Sequence, residues 1–168
     1  MSASAYFQHT VAGPVIFAGV GLHTGSHVRV AVRPAPVDAG VVFVRTDIND
    51  RDNRVPVKPD AVCQTQLGTV INNAADVRVS TIEHLMAALA ALAIDNCVVE
   101  LDGPEVPIMD GSSEPFVQIL DRAGRRLRRA PDRLPGALGE HAPRRSGGDR
   151  GVPAAPGQAR CARRIARR

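Results

Sequence analysis

The sequence predicts an α+β domain, a two-layer sandwich in which a mostly antiparallel sheet carries two helices on one face, followed by a disordered tail. Three observations lead to this prediction. Several short segments are rich in valine, and one of them alternates apolar and polar residues as a half-buried strand does. Two other segments carry helix-start and helix-stop signals. The composition changes sharply after Gly124, which divides the chain into a domain over residues 1–124 and a tail over residues 125–168.

The strand predictions rest on apolar patterning. Residues 28–33 read Val-Arg-Val-Ala-Val-Arg and predict a strand with one buried face. Residues 41–45 predict a second strand after a turn rich in proline and glycine, and residues 67–72 and 97–101 are further strand candidates. Residues 49–60 are polar with scattered valines, which indicates a loop or a small surface hairpin.

Two helices are predicted from their ends. Residues 80–83 read Ser-Thr-Ile-Glu, a match to a capping box, and predict a first helix that continues to about Ala93. A second helix is expected after residues 110–113, with Glu114 and Pro115 in its first turn and Gly124 at its end.

The first helix has two distinct faces at 100° per residue. One is an apolar stripe that we expect to pack on the sheet: Ile82, Leu85, Met86, Leu89 and Ala93. His84 points nearly the opposite way, on a face that it shares with Ala87, Ala88 and Ala91. Such a face lets another backbone approach closely. The alternative is an exposed helix with a surface histidine and with Glu83 acting only as a cap.

Composition excludes several classes of protein. Aromatic residues make up 3% of the 168 residues, which argues against a platform that stacks single-stranded nucleic acid. No apolar run approaches the ~20 residues of a membrane span, and the N-terminus lacks the pattern of a secretory signal. The 3 cysteines are widely spaced without a CxxC pair, which argues against disulfides and thiolate metal sites. We therefore expect a soluble, cytoplasmic protein.

Charge is unevenly distributed along the chain. Residues 1–124 carry 8 Lys and Arg against 14 Asp and Glu, whereas residues 125–168 carry 13 Arg, no Lys and 3 acids. The tail therefore has too little apolar surface to offset the entropy of ordering it. One interpretation is a basic arm that binds nucleic acid or an anionic surface. The other is a degraded or truncated end, or a GC-rich gene read out of frame, since Arg, Ala, Gly and Pro have the codons richest in G and C.

Several motifs occur in an order that resembles one known family. They are Gly19-Val20-Gly21-Leu22-His23-Thr24-Gly25, Arg33-Pro34-Ala35-Pro36, Ser80-Thr81-Ile82-Glu83-His84-Leu85-Met86, Ile94-Asp95-Asn96 and Glu105-Val106-Pro107-Ile108-Met109-Asp110-Gly111-Ser112. Over about residues 9–124 the sequence resembles the N-terminal half of UDP-3-O-acyl-N-acetylglucosamine deacetylases, the zinc amidases that commit the sugar precursor to lipid A. The resemblance implies a fold of two similar α+β domains that enclose Zn²⁺ between their helix layers.

The resemblance also implies roles for particular residues. His84 is expected to be one zinc ligand and Glu83 the general base that takes a proton from water. His23 is expected near the mouth of the active site, and the loop from Thr65 to Thr69 is expected to approach the metal pocket and the substrate. The alternatives are a capping role for Glu83 with Ser80 and a surface-loop role for His23. Residues 110–112 are interpreted as a turn and helix cap.

The resemblance covers only part of the zinc site of the family. The family takes two further zinc ligands from a His-x-x-x-Asp pair in its second domain, and no histidine of this chain is followed by such an aspartate. We therefore expect the chain alone to be inactive and to hold Zn²⁺ poorly. In the whole enzyme the partner is UDP-3-O-acyl-N-acetylglucosamine, with no specific nucleic acid and no membrane span. A split enzyme that pairs with a separate second domain, and a non-enzymatic module with a nucleic-acid-binding tail, are the competing hypotheses.

Overall fold

The computed structural model describes residues 6–129, which form ten strands, two α-helices and one 3-10 helix. The strands are β1 (Phe7–Val11), β2 (Val15–Val20), β3 (His27–Pro34), β4 (Val41–Arg45), β5 (Arg54–Pro56), β6 (Val62–Gln64), β7 (Val70–Asn72), β8 (Arg78–Val79), β9 (Cys97–Leu101) and β10 (Arg125–Arg129). The helices are α1 (Glu83–Ala91) and α2 (Glu114–Ala123), and Pro59–Ala61 is the 3-10 helix. Neither α-helix of the described residues is long and apolar enough to cross a membrane.

The strands form one large sheet and two small ones. The large sheet has the order β2-β3-β9-β4-β5, in which only the β4–β9 pair is parallel. The small sheets are β6-β7-β8 and the antiparallel pair of β1 with β10. The predicted mostly antiparallel sheet is therefore confirmed.

One face of the large sheet is buried. On β3, Val28, Val30 and Val32 are buried whereas Arg29 and Arg33 are exposed, because successive side chains of a strand point to opposite faces. Both helices contribute to the same core as these valines, so they cover the buried face, as predicted. On α2, the ring of Phe116 meets that of Phe17 on β2 edge-to-face, with centroids 5.5 Å apart.

The strand predictions are mostly confirmed. The alternating segment is β3, residues 41–45 and 97–101 are β4 and β9, and the candidate over residues 67–72 is a strand at Val70–Asn72. The interpretation of residues 49–60 as a loop or separate hairpin is partly wrong. Arg54–Pro56 is the edge strand of the large sheet because it pairs with β4.

Strand β1 was missed because polar side chains are buried in it. Gln8 and Thr10 are buried, so apolar alternation does not mark the strand. Their burial is offset by hydrogen bonds: the Gln8 amide donates to Asp38, and the Thr10 hydroxyl oxygen accepts from the Ala35 amide at 3.0 Å. Strands β2, β6 and β8 were not predicted either.

The folded part continues past Gly124. Arg125–Arg129, which sequence analysis assigned to the tail, form β10 and pair with β1 from Arg125 opposite Val11 to Arg129 opposite Phe7. Backbone hydrogen bonds need no apolar pattern, which explains how an arginine-rich segment joins a sheet. The other predictions for the tail, its disorder and its two interpretations, lie on residues 130–168 and outside the described residues.

The two helix predictions differ in outcome at their ends. Helix α2 begins at Glu114 and is followed by Gly124 with a φ of 72°, as its stop signal predicts. The prediction of a capping box at the start of α1 is wrong. Ile82 is the N-cap and provides no side-chain cap, because Ser80 donates its hydroxyl to the Pro104 carbonyl and Glu83 accepts from the Thr69 amide.

The faces of α1 are also partly different from the prediction. Ile82, Leu85 and Leu89 are buried as expected, but Ala93 is exposed because the helix ends at Ala91. Ala88, which was placed with His84 on the face away from the core, is fully buried. Helix α1 packs against α2 as well as against the sheet, so its buried surface is wider than one stripe.

Candidate active site

Glu83 and His84 are half-buried at the first turn of α1. The positive end of the helix dipole favours a carboxylate at this position. The Glu83 carboxylate accepts a hydrogen bond from the Thr69 amide, with 2.9 Å between N and Oε2. Within residues 6–129 no hydrogen bond engages Oε1, so one carboxylate oxygen is held while the other is available.

Gly68 places no side chain next to this available oxygen. A Cβ placed at Gly68 would lie 3.3 Å from Glu83 Oε1, 3.6 Å from Thr81 Oγ1 and 3.7 Å from His23 Nε2. Three segments that are far apart in sequence therefore converge here: the loop with His23, the loop with Gly68 and the start of α1. We call this space, defined by Gly68, His23, Thr81 and Glu83, the Gly68 hollow.

The side chain of His23 contacts the loop that precedes β7. Its Nε2 lies 3.0 Å from the Leu67 carbonyl oxygen, a hydrogen bond when that nitrogen carries the proton. His23 is exposed.

Asp110 lies in the turn before α2. Hydrogen bonds from the amide and hydroxyl of Ser112 hold the pKa of Asp110 below its ordinary value. The Ser112 hydroxyl oxygen also lies 3.2 Å from the Glu114 amide, which donates to it at the start of α2. The interpretation of residues 110–112 as a turn agrees with these contacts, but the N-cap of α2 is Ser113, which makes no side-chain cap hydrogen bond.

Glu105 is a fully buried carboxylate next to the hollow. It accepts hydrogen bonds from the amides of His23 and Thr24 and from the hydroxyls of Thr24 and Thr81, at 2.8 to 3.0 Å for the shortest contact of each donor. Burial by itself would raise the pKa of Glu105, but these hydrogen bonds outweigh it and lower the pKa below the ordinary 4.5. Glu105 is therefore a buried anion with its charge compensated by donors.

Backbone strain marks the same place. Thr81 is buried and has a φ of 57°, in the left-handed region that β-branched residues avoid. Such a conformation costs on the order of 1–3 kcal/mol and persists only where neighbouring contacts impose it. One such contact is the hydrogen bond from the Thr81 hydroxyl to Glu105, and the backbones of Ser80 and Ile82 on either side are also hydrogen-bonded.

The structure brings together some of the residues suggested by sequence and not others. Glu83, His23 and the backbone of Thr69 meet around the Gly68 hollow. Thr65 is exposed and forms no hydrogen bond with Glu83 or His84 within residues 6–129. Sequence reasoning assigned no role to Glu105 or Thr81. A carboxylate between Pro104 and the apolar residues Val106 and Pro107 was the available signal for Glu105.

The described residues do not complete a metal site. Among residues 6–129, no group of three histidine, cysteine, aspartate or glutamate side chains could hold a metal ion. His84 has the right chemistry for one zinc ligand, but a catalytic zinc site uses three protein ligands. Further ligands would have to come from outside this part of the chain.

The fold and the glutamate–histidine pair agree with one class of proteins, the deacetylases of acylated UDP-sugars. A family model described as LpxC, UDP-3-O-acyl N-acetylglycosamine deacetylase, matches residues 8–159, which is most of the chain. The chain belongs to this family. The match continues past Gly124, where sequence analysis placed the end of the resemblance.

Individual relatives agree with the family match. The UDP-3-O-acyl-N-acetylglucosamine deacetylase of Phenylobacterium zucineum strain HLK1 is 68% identical over 127 residues, which is 76% of this chain and 43% of the relative. The deacetylase of the same name from Shewanella sp. strain ANA-3 is 50% identical over 125 residues, 74% of this chain and 40% of the relative. The chain thus matches less than half the length of these relatives.

Proposed function

We propose that this chain supplies the N-terminal part of the active site of a UDP-3-O-acyl-N-acetylglucosamine deacetylase, a cytoplasmic enzyme of lipid A biosynthesis. The reaction is hydrolysis of the N-acetyl amide of the sugar nucleotide. The observation that carries the proposal is the geometry of Glu83. One of its oxygens is held by the Thr69 amide, and the other faces the Gly68 hollow beside the half-buried His84.

Glu83 is the general base in this proposal. Amide hydrolysis at neutral pH needs a nucleophile stronger than water, and a positioned carboxylate helps by removing a proton from it. The Thr69 amide holds Oε2, so Oε1 is the atom that receives the proton. A side chain at Gly68 would crowd this oxygen, because its Cβ would lie 3.3 Å from Oε1.

His84 contributes one ligand to Zn²⁺. When bound, zinc with an open coordination position lowers the pKa of a coordinated water to ~7 and polarises the carbonyl. The remaining ligands are proposed to come from a second domain, so the chain alone is expected to hold zinc weakly and to be inactive. His23, Thr65 and Thr69 are proposed to line the substrate path.

A chimera tests the proposal directly. Residues 1–129 of this chain would replace the matching N-terminal segment of the Phenylobacterium zucineum relative. We expect the chimera to bind zinc and to deacetylate UDP-3-O-acyl-N-acetylglucosamine, measured by metal analysis and by release of acetate. Glu83→Ala should keep the zinc and lower kcat by about 10²–10⁴, the usual contribution of a general base. His84→Ala should lose the zinc.

The matched control is Glu114→Ala, which removes an exposed carboxylate from the first turn of α2 and should leave both properties unchanged. Full kcat in Glu83→Ala, or full zinc occupancy in His84→Ala, would contradict the assigned roles. The 168-residue chain should be assayed in parallel. Turnover by that chain, abolished by Glu83→Ala, would disprove its expected inactivity.

A further inference from the structure

Glu105 joins two segments that border the Gly68 hollow. Its Oε2 accepts from the amide and hydroxyl of Thr24, both at 2.9 Å, and its Oε1 accepts from the Thr81 hydroxyl at 2.8 Å. The His23 amide is 3.0 Å from Oε1 and 3.2 Å from Oε2. One buried carboxylate therefore connects the loop of His23 to the residue that precedes the N-cap of α1.

We propose that Glu105 is a positioning residue that orients Glu83 and His84 through Thr81. This inference rests on the proposed function for the roles of Glu83 and His84. Glu105 has no hydrogen bond with either residue. It acts on the backbone turn from which both side chains project.

The turn at Thr81 is where the orientation is decided. The Ser80 amide donates to the Pro104 carbonyl at 2.9 Å, and the Val106 amide donates to the Ser80 carbonyl at 3.0 Å, so the chain before the turn is paired alongside Glu105. Thr81 then adopts its left-handed φ of 57°, and α1 begins two residues later. Loss of the hydroxyl bond to Glu105 would let Thr81 relax to negative φ and would rotate the start of α1.

Gly21 shows that the surrounding chain is built around this carboxylate. A Cβ at Gly21 would lie 2.5 Å from Glu105 Oε2, closer than a side chain can approach. Glycine at this position thus leaves the room that Glu105 needs to reach the amides of the following loop.

Two backbone amides and two hydroxyls donate to the carboxylate, and the amides, unlike the hydroxyls, cannot accept in return. A carboxylate only accepts hydrogen bonds, whereas the glutamine side chain carries an NH₂ group that only donates. In Glu105→Gln, the NH₂ group would face the Thr24 amide if it replaced Oε2 and the His23 amide if it replaced Oε1, and each of these amides can only donate. The substitution keeps size and shape, so its effect reports on the hydrogen bonds.

The test measures the hydrogen bond between the Thr69 amide and Glu83, in which Glu105 takes no part. The Thr69 amide donates to Glu83, and its exchange with solvent deuterium in the full chain reports whether Glu83 is held in place. In Glu105→Gln we expect the amides of His23, Thr24 and Thr69 to exchange at least tenfold faster in NMR spectra, and the ring signals of His84 to shift. In Glu114→Gln, the exposed control on α2, they should stay unchanged.

A merely structural role would accelerate His23 and Thr24 and leave Thr69 and His84 as they are, which would overturn the proposal. If the Glu105→Gln variant does not fold, variants of Thr81 test the proposal instead. Thr81→Val removes the hydroxyl at constant shape and should accelerate Thr69 exchange, and Thr81→Ser should restore it. Equal exchange in the two variants would also overturn the proposal. These readouts need neither zinc nor turnover, so an inactive chimera would count against the proposed function alone.

Discussion

At the scale of residues, the site combines two glutamates with opposite surroundings. Glu105 is fully buried and saturated with donors, whereas Glu83 is half-buried and has one oxygen without a hydrogen bond in the described part of the chain. The first arrangement suits an anion that stays ionised and holds neighbouring backbone in place. The second suits a group that exchanges protons during a reaction.

The lowered pKa of Glu105 makes stability depend on pH. A carboxylate whose pKa is lower in the folded state stabilises the fold fully above its unfolded-state pKa, and this stabilisation is lost as the pH falls through the folded-state value. The contribution of Glu105 to the free energy of unfolding, measured by urea denaturation, should therefore be constant from pH 7 to about pH 5. It should decrease below about pH 4.5. Asp47, whose pKa is lowered mainly by its hydrogen bond with Arg45, contributes with the same sign.

The Glu105→Gln variant separates the contribution of Glu105 to stability from that of Asp47. At pH 7 the variant should be about 2 kcal/mol less stable, the usual loss for hydrogen bonds to a charged group. Below pH 4 the difference should narrow, because the wild type must then protonate a carboxylate that its donors favour as an anion. A difference that stays constant between pH 7 and pH 3.5 would contradict this.

At the scale of elements, the two helices show which end signals are reliable. The end of α2 is determined by Gly124, whose positive φ needs no neighbour other than its own chain. The start of α1 is determined by residues distant in sequence, since Ser80 and Thr81 bond to Pro104 and Glu105. Local sequence therefore predicted one helix end correctly and suggested a capping box that the other helix lacks.

Gly124 provides a test of this account. Gly124→Ala should destabilise the fold by about 1 kcal/mol, because alanine is strained at a φ of 72°. The matched control is Gly13→Ala, where φ is not positive and a Cβ would meet nothing within 4 Å. Urea denaturation of both variants should show a lower free energy of unfolding only for Gly124→Ala. Equal losses would argue against strain as the cause.

At the scale of the whole molecule, the last strand of the described fold lies after Gly124, where the composition changes sharply. Strand β10 pairs with β1, and β1 in turn bonds to the body of the domain through Gln8, Thr10 and the His9 backbone. The arginine-rich segment that starts at Arg125 therefore contributes its first five residues to the folded part.

Two truncations test where the domain ends. A chain ending at residue 129 keeps β10, whereas a chain ending at residue 124 removes the partners of those β1 backbone groups that bond to β10. We expect the shorter chain to have a lower Tm and faster amide exchange over Phe7–Val11. The chain of 129 residues serves as the matched control. Identical Tm and exchange in the two chains would show that β10 adds nothing to the fold.

The sequence by itself determined the fold class, the central strands and the end of α2, because each depends on a local pattern, whereas it suggested the glutamate–histidine pair only through a family resemblance. Only the tertiary structure decided that Glu105 and Thr81 belong beside that pair, that Gln8 and Thr10 are buried, and that Arg125–Arg129 form a strand. The physical reason is the same in all three cases. Hydrogen bonds between segments far apart in the chain compensate burial or strain, and no local pattern of apolar residues records them.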